Sequence, residues 1–172
     1  VTVDPHLHRV TSMDEVLPGR RGLALSAAPL LGAWAARHAE WPILLGPDEE
    51  AAPWVRAAAQ AKGLEHGTCF KQRSGDREVR VALPKMSFQG REVVLIDDVA
   101  STGRTLAVTA AALFDRGARA VDVAVTHALF VDDAIAHLAQ AGVRHVWSSN
   151  SVLHASNVVS LVPLLAAALR DA

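Results

Sequence analysis

The amino-acid sequence predicts an α/β fold in which a mostly parallel sheet is flanked by helices, and three observations support this. Apolar runs of strand length alternate with helix-like segments of roughly 10–15 residues, which is typical of repeated βαβ units. The run EVVLIDD at 92–98 is apolar until its two acids, as expected of a central parallel strand covered on both faces. Arg77–Leu83 alternates polar and apolar residues, which predicts a half-exposed strand in an antiparallel hairpin with the region around Cys69.

The first half of the chain is predicted to contain two strands and one helix before this hairpin. Val1–Asp4 has the composition of a strand, and Trp41–Asp48 is predicted to be a short buried strand that ends in a turn. Glu49–Gly63 is predicted to be a helix because acids stand at its start, Pro53 falls in its first turn and Gly63 lies near its end.

The second half continues the alternation after the central strand. A helix is predicted from Gly103 to Arg116, and Gly117 closes it. The later elements are predicted in the order strand 120–130, helix 132–142, strand 143–151 and helix 162–172. His127 is expected to be a buried, hydrogen-bonded histidine near the site and not a catalytic one. The last helix has a strongly apolar face, which indicates contact with something outside this sequence.

Length and composition restrict the class of protein. The chain has 172 residues, which suits one domain, and it is 51% hydrophobic and 20% charged. Its formal net charge is -1, so no global basic field argues for a nucleic-acid partner. No apolar run approaches the roughly 20 residues of a membrane span. The single Cys69 fits a reducing setting. We therefore expect a cytoplasmic domain that binds neither nucleic acid nor membrane.

A pair of acids and a turn of small hydroxyl residues follow the central strand. In an open parallel sheet, ligands bind beyond the carboxyl ends of the strands. The turn 101–105 leads into a helix, so it has unpaired backbone N–H groups and hydroxyls that can donate to a phosphate. Gly103 lets the backbone approach closely, so the turn is predicted to bind a phosphate. Asp97 and Asp98 cannot bind that phosphate, but they can hold vicinal hydroxyls or a divalent cation. A sugar phosphate has a phosphate at one end and hydroxyls in the middle, so it suits both parts of the stretch. The structural alternative is an acidic strand end followed by a helix cap.

This stretch resembles the phosphoribosyl-pyrophosphate (PRPP) signature shared by type I phosphoribosyltransferases and ribose-phosphate pyrophosphokinases. The resemblance implies that Asp97 and Asp98 contact the ribose 2- and 3-hydroxyls and that the loop holds the 5-phosphate. Ser101 stands where an acid or small residue is common, and Arg104 stands where Gly is usual, so Arg104 adds a phosphate contact or crowds the loop. The loop residues carried over in this way are Ser101, Thr102, Gly103, Arg104 and Thr105.

The rest of the chain separates the two groups of enzymes. Including the signature, six segments in the same order resemble the ribose-phosphate pyrophosphokinases. The chain therefore resembles the C-terminal half of such an enzyme, or of a close paralogue, with a type I phosphoribosyltransferase-like fold over residues 1–172. The five further segments are VTVDPHLHR (1–9), GPDEE (46–50), FKQRSGDREV (70–79), THALF (126–130) and SLVPLLAAAL (160–169).

The resemblance implies a Mg²⁺-dependent transfer of the diphosphoryl group of ATP to ribose 5-phosphate, giving PRPP and AMP. His6 and Asp48 correspond to family groups at the metal. The structural alternative for His6 is a strand-end histidine bonded to backbone, and His8 is a competing candidate for its role. The structural alternative for Asp48 is a helix N-cap. Lys71 and Arg73 correspond to the pair that stabilises the transferring group from a flexible loop. The alternative for that pair is a solvated, charged hairpin.

The family pattern also concerns partners. In the family a first domain, absent from this chain, supplies much of the ATP site, and active sites form between subunits. We therefore expect a homo-oligomer or an assembly with a homologue, and slow turnover by this chain alone. Two rival functions remain. One is a phosphoribosyltransferase that consumes PRPP, for which we find no base-binding segment. The other is a non-catalytic paralogue that regulates a full-length enzyme.

Overall fold

A computed structural model of the chain describes residues 1–7, 13–74 and 78–170, without the side chains of 71–74 and 78–80. A 3-10 helix, Glu49–Ala51, precedes the third α-helix. In chain order the strands and α-helices are β1 (Thr2–Val3), α1 (Met13–Val16), β2 (Ala24–Leu25), α2 (Ala28–His38), β3 (Ile43–Gly46), α3 (Ala52–Gln60), β4 (His66–Thr68), β5 (Phe70–Ser74), β6 (Glu78–Ala82), β7 (Glu92–Ala100), α4 (Arg104–Asp115), β8 (Ala120–Ala128), α5 (Ala134–Gln140), β9 (Val146–Ser149), β10 (Asn157–Val159) and α6 (Val162–Arg170).

The main sheet has six strands in the order β10-β9-β8-β7-β3-β4, and every neighbouring pair is parallel. The predicted central strand is β7, which pairs with β3 on one side and β8 on the other. The predicted α/β class and parallel sheet are therefore confirmed. Because all six strands run the same way, their carboxyl ends meet at one edge of the sheet, which we call the carboxyl edge, opposite the amino edge.

The core lies on both faces of this sheet because successive side chains of β7 point to opposite sides. Val93 and Leu95 belong to one buried cluster, and Val94 and Ile96 belong to the other. Replacing one of the larger core side chains by Ala costs about 2–5 kcal/mol. The first cluster includes Leu106, Ala110, Leu113 and Leu138 of α4 and α5. The second includes Leu31, Ala35, Val55 and Ala58 of α2 and α3.

Helix α2 is an element that the sequence analysis did not predict. Pro29 stands in its first turn, and small residues let it approach α3 closely. A Cβ at Gly32 would collide with the carbonyl oxygen of Ala58. The helix consists mostly of Ala, Leu and Gly, so no polar face marks its period in the sequence.

The antiparallel hairpin is confirmed. Strands β5 and β6 pair with Phe70 opposite Ala82 and Lys71 opposite Val81. Lys71 and Arg73 thus lie on β5, while their side chains lie outside the described part of the structure. The predicted role of both residues stays a prediction.

The two ends of the chain lie close to each other. Strand β1 pairs with β2 in a separate parallel pair, and α6 contains no buried residue among those described. A groove of about 580 Å³ lies between them, and its lining is largely apolar. None of the helices in the described residues is long and apolar enough to cross a membrane.

Candidate active site

The predicted phosphate turn lies at the carboxyl edge, between β7 and α4. Gly103 occupies the N-cap position of α4 with a φ of 67°, a left-handed conformation that glycine adopts without a Cβ clash. The turn leaves Ser101, Thr102 and Arg104 exposed, and Thr102 Oγ1 accepts a hydrogen bond from the Arg104 N–H at 3.5 Å. A cavity of about 200 Å³ is lined by Asp97 and residues 99–106. Arg104 therefore leaves space within the turn.

The two acids of the motif differ in their surroundings, although both belong to β7. Asp98 is buried, and its Oδ1 accepts the Val99 N–H at 2.8 Å. Asp97 Oδ1 accepts the Asp98 N–H at 3.0 Å. Burial, followed by the charges of Asp98 and Asp48, raises the pKa of Asp97 to about 8. At neutral pH the Asp97 carboxyl therefore tends to hold its proton unless a cation takes that place.

His6 is brought to this pair from the other end of the chain. Its Nδ1 lies 2.6 Å from Asp98 Oδ2, across a separation of 92 residues. Because the carboxylate accepts, the imidazole Nδ1–H donates and fixes the orientation of Asp98. The placement of His6 near the acids agrees with the sequence analysis, whereas His8 lies outside the described residues.

Asp48 stands two residues after the end of β3 and has the capping role that was the structural alternative to metal binding. Its Oδ1 accepts the Glu50 N–H at 3.1 Å at the start of the 3-10 helix. Its charge also raises the pKa of Asp97, which places its carboxylate at the same edge. Cys69, after β4, is fully buried, and burial raises the pKa of its thiol to about 12. Cys69 is therefore a small core residue and not a nucleophile.

The oxygen-rich carboxyl edge fits a hard cation in an open site. Within the described residues, no three His, Cys, Asp or Glu side chains converge on one metal position. Mg²⁺ usually takes one or two carboxylates and completes its shell with water and substrate phosphates. The raised pKa of Asp97 shows carboxylates close enough to repel one another, and a divalent cation relieves that repulsion. Direct ligation by His6 and Asp48 stays a prediction.

His127, near the end of β8, is hydrogen-bonded as expected, although it is half-buried and not buried. Its Nε2 lies 3.1 Å from the carbonyl oxygens of both Val3 and Asp4, so this nitrogen carries the proton. Its Nδ1 lies 2.9 Å from Ser151 Oγ. The side chain thereby holds the segment that leads to His6.

Residues 30–134 match the family model described as "Phosphoribosyl transferase domain", which is more than half of the chain. The chain belongs to this family. Among its curated members, the ribose-phosphate pyrophosphokinase of Methanopyrus kandleri is 34% identical over 149 residues, covering 86% of this chain and 51% of that protein. The ribose-phosphate pyrophosphokinase of Sulfurisphaera tokodaii is 28% identical over 172 residues, covering 99% and 58%. The chain spans about half the length of the curated relatives it matches.

Solved structures of the family agree. The phosphoribosylpyrophosphate synthetase of Mycobacterium smegmatis is similar with a TM-score of 0.70 and 28% identity, covering 86% of this chain and 50% of that one. The orotate phosphoribosyltransferase of Aeropyrum pernix, with a TM-score of 0.56 and 24% identity, covers 84% and 75% and shares the fold alone. The predicted phosphoribosyltransferase-like fold and the resemblance to ribose-phosphate pyrophosphokinases are confirmed.

Proposed function

We propose that this chain is the ribose 5-phosphate-binding part of a ribose-phosphate pyrophosphokinase. The whole enzyme would act in the cytoplasm and transfer the diphosphoryl group of ATP to ribose 5-phosphate, which gives PRPP and AMP. The observation that carries the proposal is the acid pair Asp97–Asp98 beside the glycine-containing turn, at the carboxyl end of the central strand. The relatives named ribose-phosphate pyrophosphokinase support the same choice.

The sugar phosphate would lie along the carboxyl edge. The 5-phosphate accepts hydrogen bonds from the turn 101–105, where the first N–H groups of α4 lack helical partners and the helix dipole is positive. Asp97 and Asp98 accept hydrogen bonds from the ribose 2- and 3-hydroxyls. When Mg²⁺ takes the place of the Asp97 proton, both carboxylates are charged. Hydrogen bonds to charged groups contribute about 1.5–3 kcal/mol each, so the pair then supplies much of the affinity for ribose.

The transfer itself requires alignment and charge neutralisation. The ribose 1-hydroxyl oxygen forms a bond to the β-phosphorus of ATP, and the bond from that phosphorus to the AMP oxygen breaks. AMP leaves with that oxygen, and the proton of the 1-hydroxyl passes to solvent water. Bound Mg²⁺ would neutralise phosphate charge, held by carboxylates of Asp48 or Asp97 with His6 nearby. Lys71 and Arg73 would stabilise charge on the transferring group from the hairpin. His6 keeps Asp98 oriented toward the ring.

The remaining ATP site would come from another domain or subunit. The groove between β1, β2 and α6 is lined by apolar side chains, among them Leu23, Leu25 and Leu164. Uncovered apolar faces of this kind are typical of interfaces. Two observations fit a contact there with a second domain, in a homo-oligomer or in an assembly with a homologue. One is this groove, and the other is that the chain covers about half the length of its relatives.

Two measurements test the proposal. Isothermal titration calorimetry with Mg²⁺ should detect ribose 5-phosphate binding to the chain, and no heat of binding at millimolar ligand would overturn the proposal. AMP release from ATP and ribose 5-phosphate should be slow for the chain alone. Pyrophosphate release from PRPP that depends on an added nitrogenous base would assign it to the phosphoribosyltransferases instead.

A further inference from the structure

We propose that Asp4 is a positioning residue that holds His6 against Asp98. The proposal rests on the proposed function in that Asp98 is taken to receive ribose hydroxyls. Asp4 is only 3% exposed and lies two residues before His6, at the end of β1. Its side chain connects the start of the chain to three different elements of the domain.

Each of these elements sends one donor to the Asp4 carboxylate. The three donors come from the N-terminus of α2, from α3 and from β8. The bonds are Ala27 N–H to Oδ2 at 2.9 Å, Trp54 Nε1–H to Oδ1 at 2.9 Å and Thr126 Oγ1–H to Oδ2 at 2.7 Å. The carboxylate also lies at the N-terminus of α2, where the helix dipole is positive. With three protein donors on its two oxygens, Asp4 acts through its neighbours and not on a ligand. Asp98 accepts from Val99 and His6 and keeps acceptor capacity for the ribose hydroxyls.

The backbone at Asp4 is held as firmly as the side chain. Its φ of 39° is in the left-handed region, which residues other than glycine occupy when the surrounding structure fixes them. His127 Nε2 donates to the carbonyl oxygens of Val3 and Asp4 at 3.1 Å each. The chain therefore leaves β1 through a turn fixed from two sides.

The link from Asp4 to His6 is short and stiff. Pro5 is the one residue between them, and its ring restricts its own φ to about −65°. An anchor at Asp4 thus sets the position from which His6 extends to Asp98, where Nδ1 and Oδ2 are 2.6 Å apart. Trp54, which lines a cavity of about 230 Å³ with His6, is held by the same carboxylate. Movement of Asp4 would release both walls of that cavity.

The test is a double-mutant cycle of Asp4→Asn and His6→Gln, with ribose 5-phosphate affinity measured by calorimetry in the presence of Mg²⁺. Asparagine tolerates a left-handed φ as aspartate does, so the change removes an acceptor oxygen and spares the backbone. If Asp4 acts through His6, Asp4→Asn weakens binding about tenfold in the wild-type background, as expected for a residue that orients a site group. It weakens binding less than about twofold when His6 is already Gln.

A second readout needs no ligand. The ring nitrogen resonances of His6, assigned with the His6→Gln variant in ¹⁵N-labelled protein, should shift in Asp4→Asn. Asp122→Asn is the matched control because Asp122, like Asp4, is a buried aspartate that accepts several hydrogen bonds. It lies on β8 and bonds to Arg144 and His145. That variant should lower the Tm and leave both the His6 resonances and the affinity unchanged.

Equal losses of affinity in both backgrounds, or unmoved His6 resonances in Asp4→Asn, would overturn the proposal. If wild-type protein bound no ribose 5-phosphate, the proposed function would fail, and the His6 resonances alone would decide the role of Asp4. Should Asp4→Asn not fold, Thr126→Val removes one of the three donors with little change of shape. The same His6 resonances should then shift by less, and an unmoved spectrum of a folded Thr126→Val protein would overturn the proposal.

Discussion

The two edges of the central sheet carry buried acids in opposite electrostatic settings. At the amino edge, Glu92 starts β7 and accepts from Arg144 Nη2 at 3.0 Å and Arg119 Nη2 at 2.8 Å. Arg144 Nη2 also donates to Asp122, which is fully buried on β8, at 2.6 Å. The hydrogen bond from Arg144 is the main cause that lowers the pKa of Glu92, and the hydrogen bond to Asp122 is the main cause that raises the pKa of Arg144. Glu92 and Asp122 therefore each accept a hydrogen bond from an arginine.

At the carboxyl edge, β7 carries Asp97 and Asp98 near its end and β3 is followed by Asp48, and these acids lie close enough to interact. Asp98 Oδ2 lies 2.6 Å from the imidazole Nδ1 of His6. The pKa of Asp97 is raised by burial and by the charges of Asp98 and Asp48. Acids matched with arginine stabilise the fold, whereas buried acids that repel one another remain where a ligand or cation provides the balance. The contrast between the edges supports the proposal that the sugar phosphate binds at the carboxyl edge.

Removing Arg144, the arginine shared by Glu92 and Asp122 at the amino edge, should have the largest effect on stability. Arg144→Ala leaves Glu92 and Asp122 buried without their shared partner, and breaking such a pair costs about 3–5 kcal/mol, toward the lower end here because Arg144 is partly exposed. Urea unfolding measures the loss. Arg91→Ala is the control, since its partner Glu65 is exposed, and it should cost less than about 1 kcal/mol. Equal losses for the two variants would contradict the assignment of the amino edge to stability.

Removing the carboxyl-edge charges should instead affect binding. Asp97→Asn combined with Asp98→Asn replaces two acids, both charged when Mg²⁺ takes the place of the Asp97 proton, by amides of the same shape. In the presence of Mg²⁺, ribose 5-phosphate affinity should therefore fall about 100-fold, or about 2.7 kcal/mol. The Tm should not fall by a comparable amount, because the repulsion that raises the pKa of Asp97 is removed as well. Calorimetry and thermal unfolding measure the two quantities, and unchanged affinity would sink the proposed function.

The contrast between the edges also shows what the sequence can and cannot predict. The local geometry of Asp97–Thr105, a strand end followed by a turn and a helix start, was predictable because these residues are contiguous and the neighbouring strands have clear apolar runs. The bond from His6 to Asp98 spans 92 residues, and that from Arg144 to Glu92 spans 52. Such pairs depend on the sheet order, which local patterns do not determine. The Ala-rich α2 was missed because it has too few polar residues to mark a helical period, although its buried residues, Ala28, Leu31, Gly32 and Ala35, lie on one face.

The pH dependence of stability should have opposite signs at the two edges. The pKa of Asp97 in the folded state, about 8, lies above its unfolded value, so its contribution is fully present below the unfolded pKa of about 4 and is lost as the pH rises toward 8. Asp97→Asn should therefore stabilise the protein at pH 8.5 relative to wild type, on the order of 2 kcal/mol, and have little effect near pH 4. Urea unfolding at the two pH values measures the difference.

Glu92 provides the opposite case. Its folded pKa is lowered, so its contribution is present above the unfolded pKa and is lost as the pH falls through the folded pKa. Glu92→Gln should therefore destabilise the protein most near neutral pH and progressively less in acid. If both variants responded to pH with the same sign, the electrostatic distinction between the edges would be wrong.

The smallest expected effect on stability compares one glycine from each edge. Gly103 in the phosphate turn and Gly63, which follows α3 at the amino edge, have φ values of 67° and 62°. Alanine at either position is strained in the left-handed region by about 1–2 kcal/mol, with no severe collision, since a Cβ at Gly103 lies 3.4 Å from Leu138 and none is within 4 Å at Gly63. Both variants should therefore lose similar stability in urea.

The same two variants should differ in binding. Gly103→Ala turns the backbone N–H groups that would face the 5-phosphate, so it should weaken ribose 5-phosphate binding about tenfold, the loss of roughly one hydrogen bond to a charged group. Gly63→Ala should bind like wild type, and equal affinities for the two variants would show that the turn does not hold the phosphate.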